Sequence, residues 1–245
     1  MKFALIGHPV AGSLSPRLFA AAYDGRYPYD LVDRENFEEA WKVFLTGYDG
    51  INVTAPFKQN AFACADILSE EARRTGAVNL VVKKAEGLRG YNTDVDGIVG
   101  AVRECGLPVA DALVVGTGGA ARAAVVAAQK LGCRVSVTGR SAGKAEDIAA
   151  QLGCRTVPWE GLDAFRPDLI IYTLPGGSPV PQGLNFAASV VLEAEYKQPA
   201  LSGLPCKAYI PGRRWLLWQA AAGYELFTGE TPNLENLLNA IYLCH

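Results

Sequence analysis

Ala112-Leu113-Val114-Val115-Gly116-Thr117-Gly118-Gly119-Ala120-Ala121 decides the fold. The four apolar residues are a run suited to a buried strand. The glycines are a turn, and the alanine-rich stretch that follows is a helix to about Leu131, closed by Gly132. Gly116 permits the tight turn. Gly118 and Gly119 let backbone approach a pyrophosphate seated on the helix N-terminus, with Ala120 in the first turn. A glycine pattern alone says little, but strand, turn and helix in succession give it meaning. The competing reading is a tight turn that serves only helix–strand packing.

Working outward, residues 134–138 form the next strand, followed by Gly139-Arg140-Ser141 and Lys144. A site for NAD places an acid near this point to bond the ribose 2′-hydroxyl. None is present, and Arg140, Ser141 and Lys144 suit a 2′-phosphate instead. The cofactor expected is NADP(H). The competing reading is an exposed basic helix start, which opposes the helix dipole unless an anion is bound.

Strands and helices alternate on the N-terminal side as well. Strands are expected at 2–7, 29–32 and 50–53. Helices are expected from Ser15, as N-cap before Pro16, to 23, over 36–45 and over about 65–75. Residues 79–83 and 88–91 form a hairpin around Glu86-Gly87, and a helix runs from Thr93 or Asp94 to 105. Further elements are expected at 143–152, 169–173 and 190–192, with closing helices at 215–227 and 233–243. This alternation implies an α/β protein built on mostly parallel sheet.

Composition narrows the function. The 245 residues are 50% hydrophobic and 20% charged, with a net charge of −2. No basic tract argues for nucleic acid, and no apolar run is long enough for a membrane span. The N-terminus has no signal-peptide pattern, and six scattered cysteines without a C-x-x-C pair suit a reducing compartment, so a cytoplasmic protein is expected. The only histidines are His8 and His245, which disfavours a His-based metal site; no metal is expected.

Three stretches can carry chemistry. In Gly50-Ile51-Asn52-Val53-Thr54-Ala55-Pro56-Phe57-Lys58, Pro56 cannot continue a ladder, so Lys58 is delivered beyond a strand's carboxyl end, where open α/β sheets bind ligands. A lone lysine otherwise reads as a solvated surface residue. Ser13-Leu14-Ser15-Pro16 places two hydroxyls beside a helix N-terminus, an anion cradle or merely a cap. Asp94, in Asn92-Thr93-Asp94, either caps the following helix or pairs with Lys58 in proton transfer. Asn79 is a donor and acceptor for a hydroxylated ligand, or a turn asparagine.

Taken together, these residues resemble the shikimate dehydrogenase family nearly end to end. The resemblance rests on Ser13-x-Ser15-Pro16, Asn52-Val53-Thr54-x-Pro56-x-Lys58, Gly76-Ala77-Val78-Asn79, Asn92-Thr93-Asp94-x-x-Gly97, the Gly116–Ala120 turn with its basic cluster, and Gln219 within Leu217-Trp218-Gln219-Ala220. The resemblance implies a substrate domain over 1–94, rejoined by 212–245, and a Rossmann-type NADP-binding domain over 95–211. It implies Lys58 and Asp94 as catalytic residues. Ser13, Ser15, Thr54, Asn79, Asp94, Tyr196 and Gln219 are implied for the substrate, and Gly116, Gly118, Gly119, Ala120, Arg140, Ser141, Lys144 and Gly212 for the cofactor. The departures are Gly12 for His, Leu80 for Thr, Gly139 for Asn, an altered loop at Tyr172-Thr173-Leu174-Pro175, Glu193 for Asp and Trp215 for Met. They gather mostly on the cofactor side, and the chain looks trimmed between Tyr196 and Gly212.

The activity implied is NADPH-dependent, reversible reduction of 3-dehydroshikimate to shikimate by a monomer or homodimer. Two alternatives stand beside it: a quinate/shikimate dehydrogenase using NAD, and a non-catalytic shikimate-binding regulatory homologue.

Overall fold

The computed structural model describes residues 1–242; Leu243, the last residue of the expected final helix, lies outside them, as do Cys244 and His245. The chain divides into two compact units, residues 1–93 with 217–245, and residues 94–216.

The first unit opens with β1 (Phe3–Gly7), α1 (Ser15–Ala22), β2 (Tyr29–Asp33), α2 (Phe37–Gly47) and β3 (Gly50–Val53). It continues with α3 (Lys58–Cys64), β4 (Ile67–Leu68), α4 (Glu70–Thr75), β5 (Leu80–Lys84) and β6 (Gly87–Tyr91). The strands form one sheet in the order β2-β1-β3-β5-β6-β4. β1 runs parallel to β2 and β3, and the β5–β6 hairpin makes the centre antiparallel. One face packs Ile6, Phe37, Ala40, Phe44, Ile51, Val53 and Phe57. On α2 these are the positions its helical spacing predicts, and Asn36 caps the helix by accepting from the Glu39 N–H.

Two expectations are corrected here. The helix expected over about 65–75 is only α4, at 70–75: residues 67–68 are β4, and a separate helix, α3, precedes them at 58–64. Ala65 ends α3. The Asp66 N–H then bonds Leu88 O and the Ser69 N–H bonds Gly90 O, pairing β4 with β6, and Ser69 caps α4. Ser15 is not the N-cap of α1. It is the first helical residue, Leu14 holds the cap position, and Ser13 Oγ accepts from the Ser15 N–H at 3.2 Å.

The second unit contains α5 (Asp94–Cys105), β7 (Asp111–Val115), α6 (Gly119–Lys130), β8 (Arg134–Thr138), α7 (Ala142–Leu152), β9 (Arg155–Thr156), a 3-10 turn at Trp159–Ala164, β10 (Leu169–Tyr172), β11 (Val190–Glu193) and β12 (Ala208–Ile210). The sheet order is β12-β11-β10-β7-β8-β9, parallel at every pairing. Strand order reverses between β7 and β10, whose carboxyl ends therefore flank the crevice where doubly wound sheets take ligands. α8 (Gly212–Thr228) begins in this unit and ends in the first, and α9 (Leu234–Tyr242), capped by Asn233, follows it. Within the first unit Phe227 of α8 stacks on Phe3 at 4.7 Å and covers Gly50, where a Cβ would meet its ring at 2.8 Å.

Glu193 ends β11 fully buried. Its two oxygens accept from the Ala200 N–H (2.6 Å), the Leu201 N–H (3.1 Å) and the Tyr209 hydroxyl (2.7 Å). The stretch after Tyr196 is thus tied back to the sheet by one side chain. All three partners donate, so Glu193→Gln, which turns an amide NH2 toward them, should cost about 1–3 kcal/mol. Urea unfolding of the variant against the parent chain measures this.

Candidate functional site

In the first unit the chain leaves β1, β3 and β6 at one edge of the sheet and enters β5 there. That edge carries Ser13, Ser15, Thr54, Lys58 and Asn79 of the residues singled out from sequence. Thr54 directly follows β3. Its N–H bonds Ile6 O, and its methyl lies over Gly7, leaving no room for a Cβ at that position. Lys58, half-buried, begins α3 rather than trailing from a strand, and its carbonyl accepts from the Val78 N–H at 3.0 Å. Ser13 and Ser15 are half-buried, with the Ser13 hydroxyl donating to Ser15 Oγ at 3.0 Å. The loop carrying them is pinned by Asp33, which accepts from the Val10 N–H and bonds His8 Nδ1. These contacts hold the Asp33 carboxyl below its usual range.

Asn79 enters β5 almost fully buried. Its Oδ1 accepts from the Thr93 N–H at 2.8 Å and from the Thr93 hydroxyl at 3.3 Å. Among the described residues its Nδ2 has no partner. A buried amide donor left open in this way is suited to an oxygen brought by a ligand. Gln219, half-buried on α8, lies one turn before Gly223, and Gly223 abuts Leu80 and Thr93. Tyr29, Asn52 and Tyr224 extend this polar edge. The Tyr29 hydroxyl donates to Asn52 Oδ1 at 2.7 Å, Asn52 Nδ2 donates to Asn79 O at 3.4 Å, and the Tyr224 hydroxyl donates to Ser15 O at 3.2 Å. Neither tyrosine is marked by local sequence, because an aromatic on a strand or helix reads first as core.

In the second unit Gly116, Thr117, Gly139, Arg140, Ser141, Lys144 and Leu174 line a cavity of about 400 Å³ at the switch point. Gly116 adopts φ +125°, and a Cβ on it would run into the Thr173 hydroxyl. Gly118 holds the N-cap of α6 with no side-chain bond to the first turn, and a Cβ on Gly118 or Gly119 would enter open space. The first-turn N–H groups, with Ala120 among them, are thus left uncovered for an anion. Arg140, Ser141 and Lys144 are exposed at the start of α7. These residues fit a dinucleotide carrying an extra phosphate: bare amides for a pyrophosphate, then two cations and a hydroxyl.

Asp94 opens α5, buried, and Tyr196 is half-buried near Arg213. Gly212 opens α8 where a Cβ would collide with the carbonyls of Glu193 and Ala194, so close backbone approach is what demands glycine. Among the described residues no group of three or more His, Cys, Asp or Glu is placed to hold a metal ion, and no helix is long and apolar enough to cross a membrane.

These are the features of a two-unit α/β protein whose second unit is a doubly wound Rossmann-type sheet with a phosphate cradle. Residues 5–81 match the shikimate dehydrogenase substrate binding domain. The chain is 33% identical, over 95% of its length and 94% of the relative's, to the shikimate dehydrogenase (NADP(+)) of Thermus thermophilus. It is 34% identical to that of Acidiphilium cryptum, over 96% of this chain and 92% of the relative. A Thermus thermophilus shikimate 5-dehydrogenase crystallised with NADP(H) and shikimate superposes with a TM-score of 0.88 at 32% identity, over 98% of both chains. The chain belongs to the shikimate dehydrogenase family.

Gly116 and Gly118 are glycines for different reasons, and substitution should separate them. Gly116→Ala puts a side chain at a strained φ and against Thr173, and should cost about 1–3 kcal/mol. Gly118→Ala, at φ −89° with space around it, should unfold thermally like the parent chain. Differential scanning calorimetry distinguishes the two.

Proposed function

We propose that this protein catalyses the NADP-dependent, reversible interconversion of 3-dehydroshikimate and shikimate. The observation that carries the reading is the open Asn79 donor, at the same sheet edge as Ser13, Ser15, Thr54 and Lys58. When bound, NADPH supplies the hydride. Gly116, Gly118, Gly119 and Ala120 receive its pyrophosphate on backbone N–H groups, and Arg140, Ser141 and Lys144 take the 2′-phosphate. Gly212 lets backbone pass close beside it.

The serine pair binds the substrate carboxylate. Thr54, Asn79, Tyr196 and Gln219 read its ring oxygens, each through a hydroxyl or amide that can match an alcohol. Lys58 gives the proton that neutralises the forming alkoxide, and Asp94 supports it as the opposite charge. The scattered free thiols suit a reducing, cytoplasmic setting.

The defining experiment mixes the protein with shikimate and NADP+ and follows the absorbance of reduced nicotinamide. Turnover is expected with shikimate and NADP+, and only weak turnover with quinate or NAD+. No signal at high protein concentration would favour a non-catalytic binder, and a preference for quinate with NAD+ would favour the other dehydrogenase. Lys58→Ala should lower kcat by about 10²–10⁴-fold with a modest change in KM, whereas equal losses in both would assign Lys58 to binding. Arg140→Ala combined with Lys144→Ala should raise KM for NADP+ by about tenfold or more and leave that for NAD+ nearly unchanged, because only the 2′-phosphate loses its charge-assisted bonds.

A further inference from the structure

The strongest feature outside the roles already assigned is the hydroxyl of Tyr29. Its ring is accounted for: Tyr29 packs on Phe19 at 4.8 Å and meets Tyr224 edge-on at 6.3 Å. Phenylalanine would fill that space equally well, so the hydroxyl needs a separate reason. It donates to Asn52 Oδ1 at 2.7 Å, and the Ser15 side chain faces it as well. Because the phenol takes the Asn52 oxygen, the amide nitrogen is turned the other way, toward Asn79 O at 3.4 Å. Ser15 is held from its other end by the Tyr224 hydroxyl on its carbonyl. Burial pushes the Tyr29 phenol well above its ordinary range, so it stays protonated as a donor at neutral pH.

We propose that Tyr29 is a positioning residue of the substrate site, its hydroxyl joining the serine pair on one side to Asn52 and Asn79 on the other and setting the distance between carboxylate and hydroxyl recognition. The inference rests on the functional reading above. Ser13 and Ser15 ride on the loop after β1 and the start of α1, and Asn79 on the entry to β5. Tyr29, on β2, belongs to neither, so a bond from it can hold both in register. A ligand gripped at two points is sensitive to their spacing, since an ångström of drift forfeits one of the two contacts.

Tyr29→Phe keeps the ring and removes the link. It is expected to raise KM for shikimate about tenfold, equivalent to about 1.4 kcal/mol, with kcat changed less than about twofold. NADP+ affinity measured by fluorescence titration, and thermal unfolding, should stay at the parent values. A purely structural role would instead lower the unfolding temperature and disturb both substrates. In an Asn52→Ala background, Tyr29→Phe should add little, because the partner through which it acts is gone. An unchanged KM, or an effect that persists in full without Asn52, overturns the inference while leaving the functional reading intact. A parent chain that turns over no shikimate overturns both.

Discussion

A single hydrogen bond fixes which end of the Asn79 amide is available. The Thr93 backbone N–H can only donate, so the side-chain oxygen must turn to it, and the amide nitrogen is left pointing elsewhere. Everything at this edge of the first sheet is arranged around that constraint. β5 is anchored to β6 by the Asn79 N–H on Tyr91 O and to β3 by the Val53 N–H on Asn79 O. Asn79 is therefore held by backbone on both sides, while its side-chain donor is left open. A buried donor without a partner costs stability in the free protein. The fold tolerates that cost where a ligand oxygen can relieve it.

The two units present different kinds of group to a ligand. The second unit offers backbone: N–H groups at a helix start, made reachable because Gly118 and Gly119 carry nothing above them. The first unit offers side chains: hydroxyls, amides and an ammonium on separate loops at strand ends. Backbone recognition of phosphate needs only a turn and a helix N-terminus. Side-chain recognition of a small polyol needs every group at its own spacing, and hence supporting contacts such as Asp33 on the Val10 N–H and Tyr224 on Ser15 O.

Much of this was legible in the sequence because the signals were local. The strand at Gly50–Val53, the hairpin at Glu86-Gly87 and the glycine turn each declare themselves within a few residues. What was not legible depended on distant partners. β4 is two residues long and exists because Asp66 and Ser69 find β6, so a helix pattern continued across it until pairing interrupted it. Ser15 looked like a cap because serine before proline suits that position, but the preceding loop places Leu14 there and Ser13 Oγ accepts from the Ser15 N–H instead. Glu193 resembled a conservative exchange for aspartate. Its extra methylene instead belongs to a side chain that reaches Ala200, Leu201 and Tyr209.

Gly139 stands beside the phosphate cradle for a steric reason. Gly139 is not among the positive-φ glycines, so its backbone does not demand glycine. What excludes a side chain is the methyl of Thr117, 2.6 Å from where a Cβ would stand. Thr117 belongs to the glycine turn, and as a β-branched residue it has few rotamers by which to withdraw. The two positions share one space: the Thr117 side chain fills the part of the cavity wall that a side chain at 139 would occupy. A backbone cradle can absorb this, since its amides keep their places whichever residue supplies the wall. On the proposed reading the edge of the first sheet has no such freedom, because there each side chain is itself the recognising group. Thr54 lies directly over Gly7, and the Asn79 amide is locked by Thr93, so a change in one contact displaces the next.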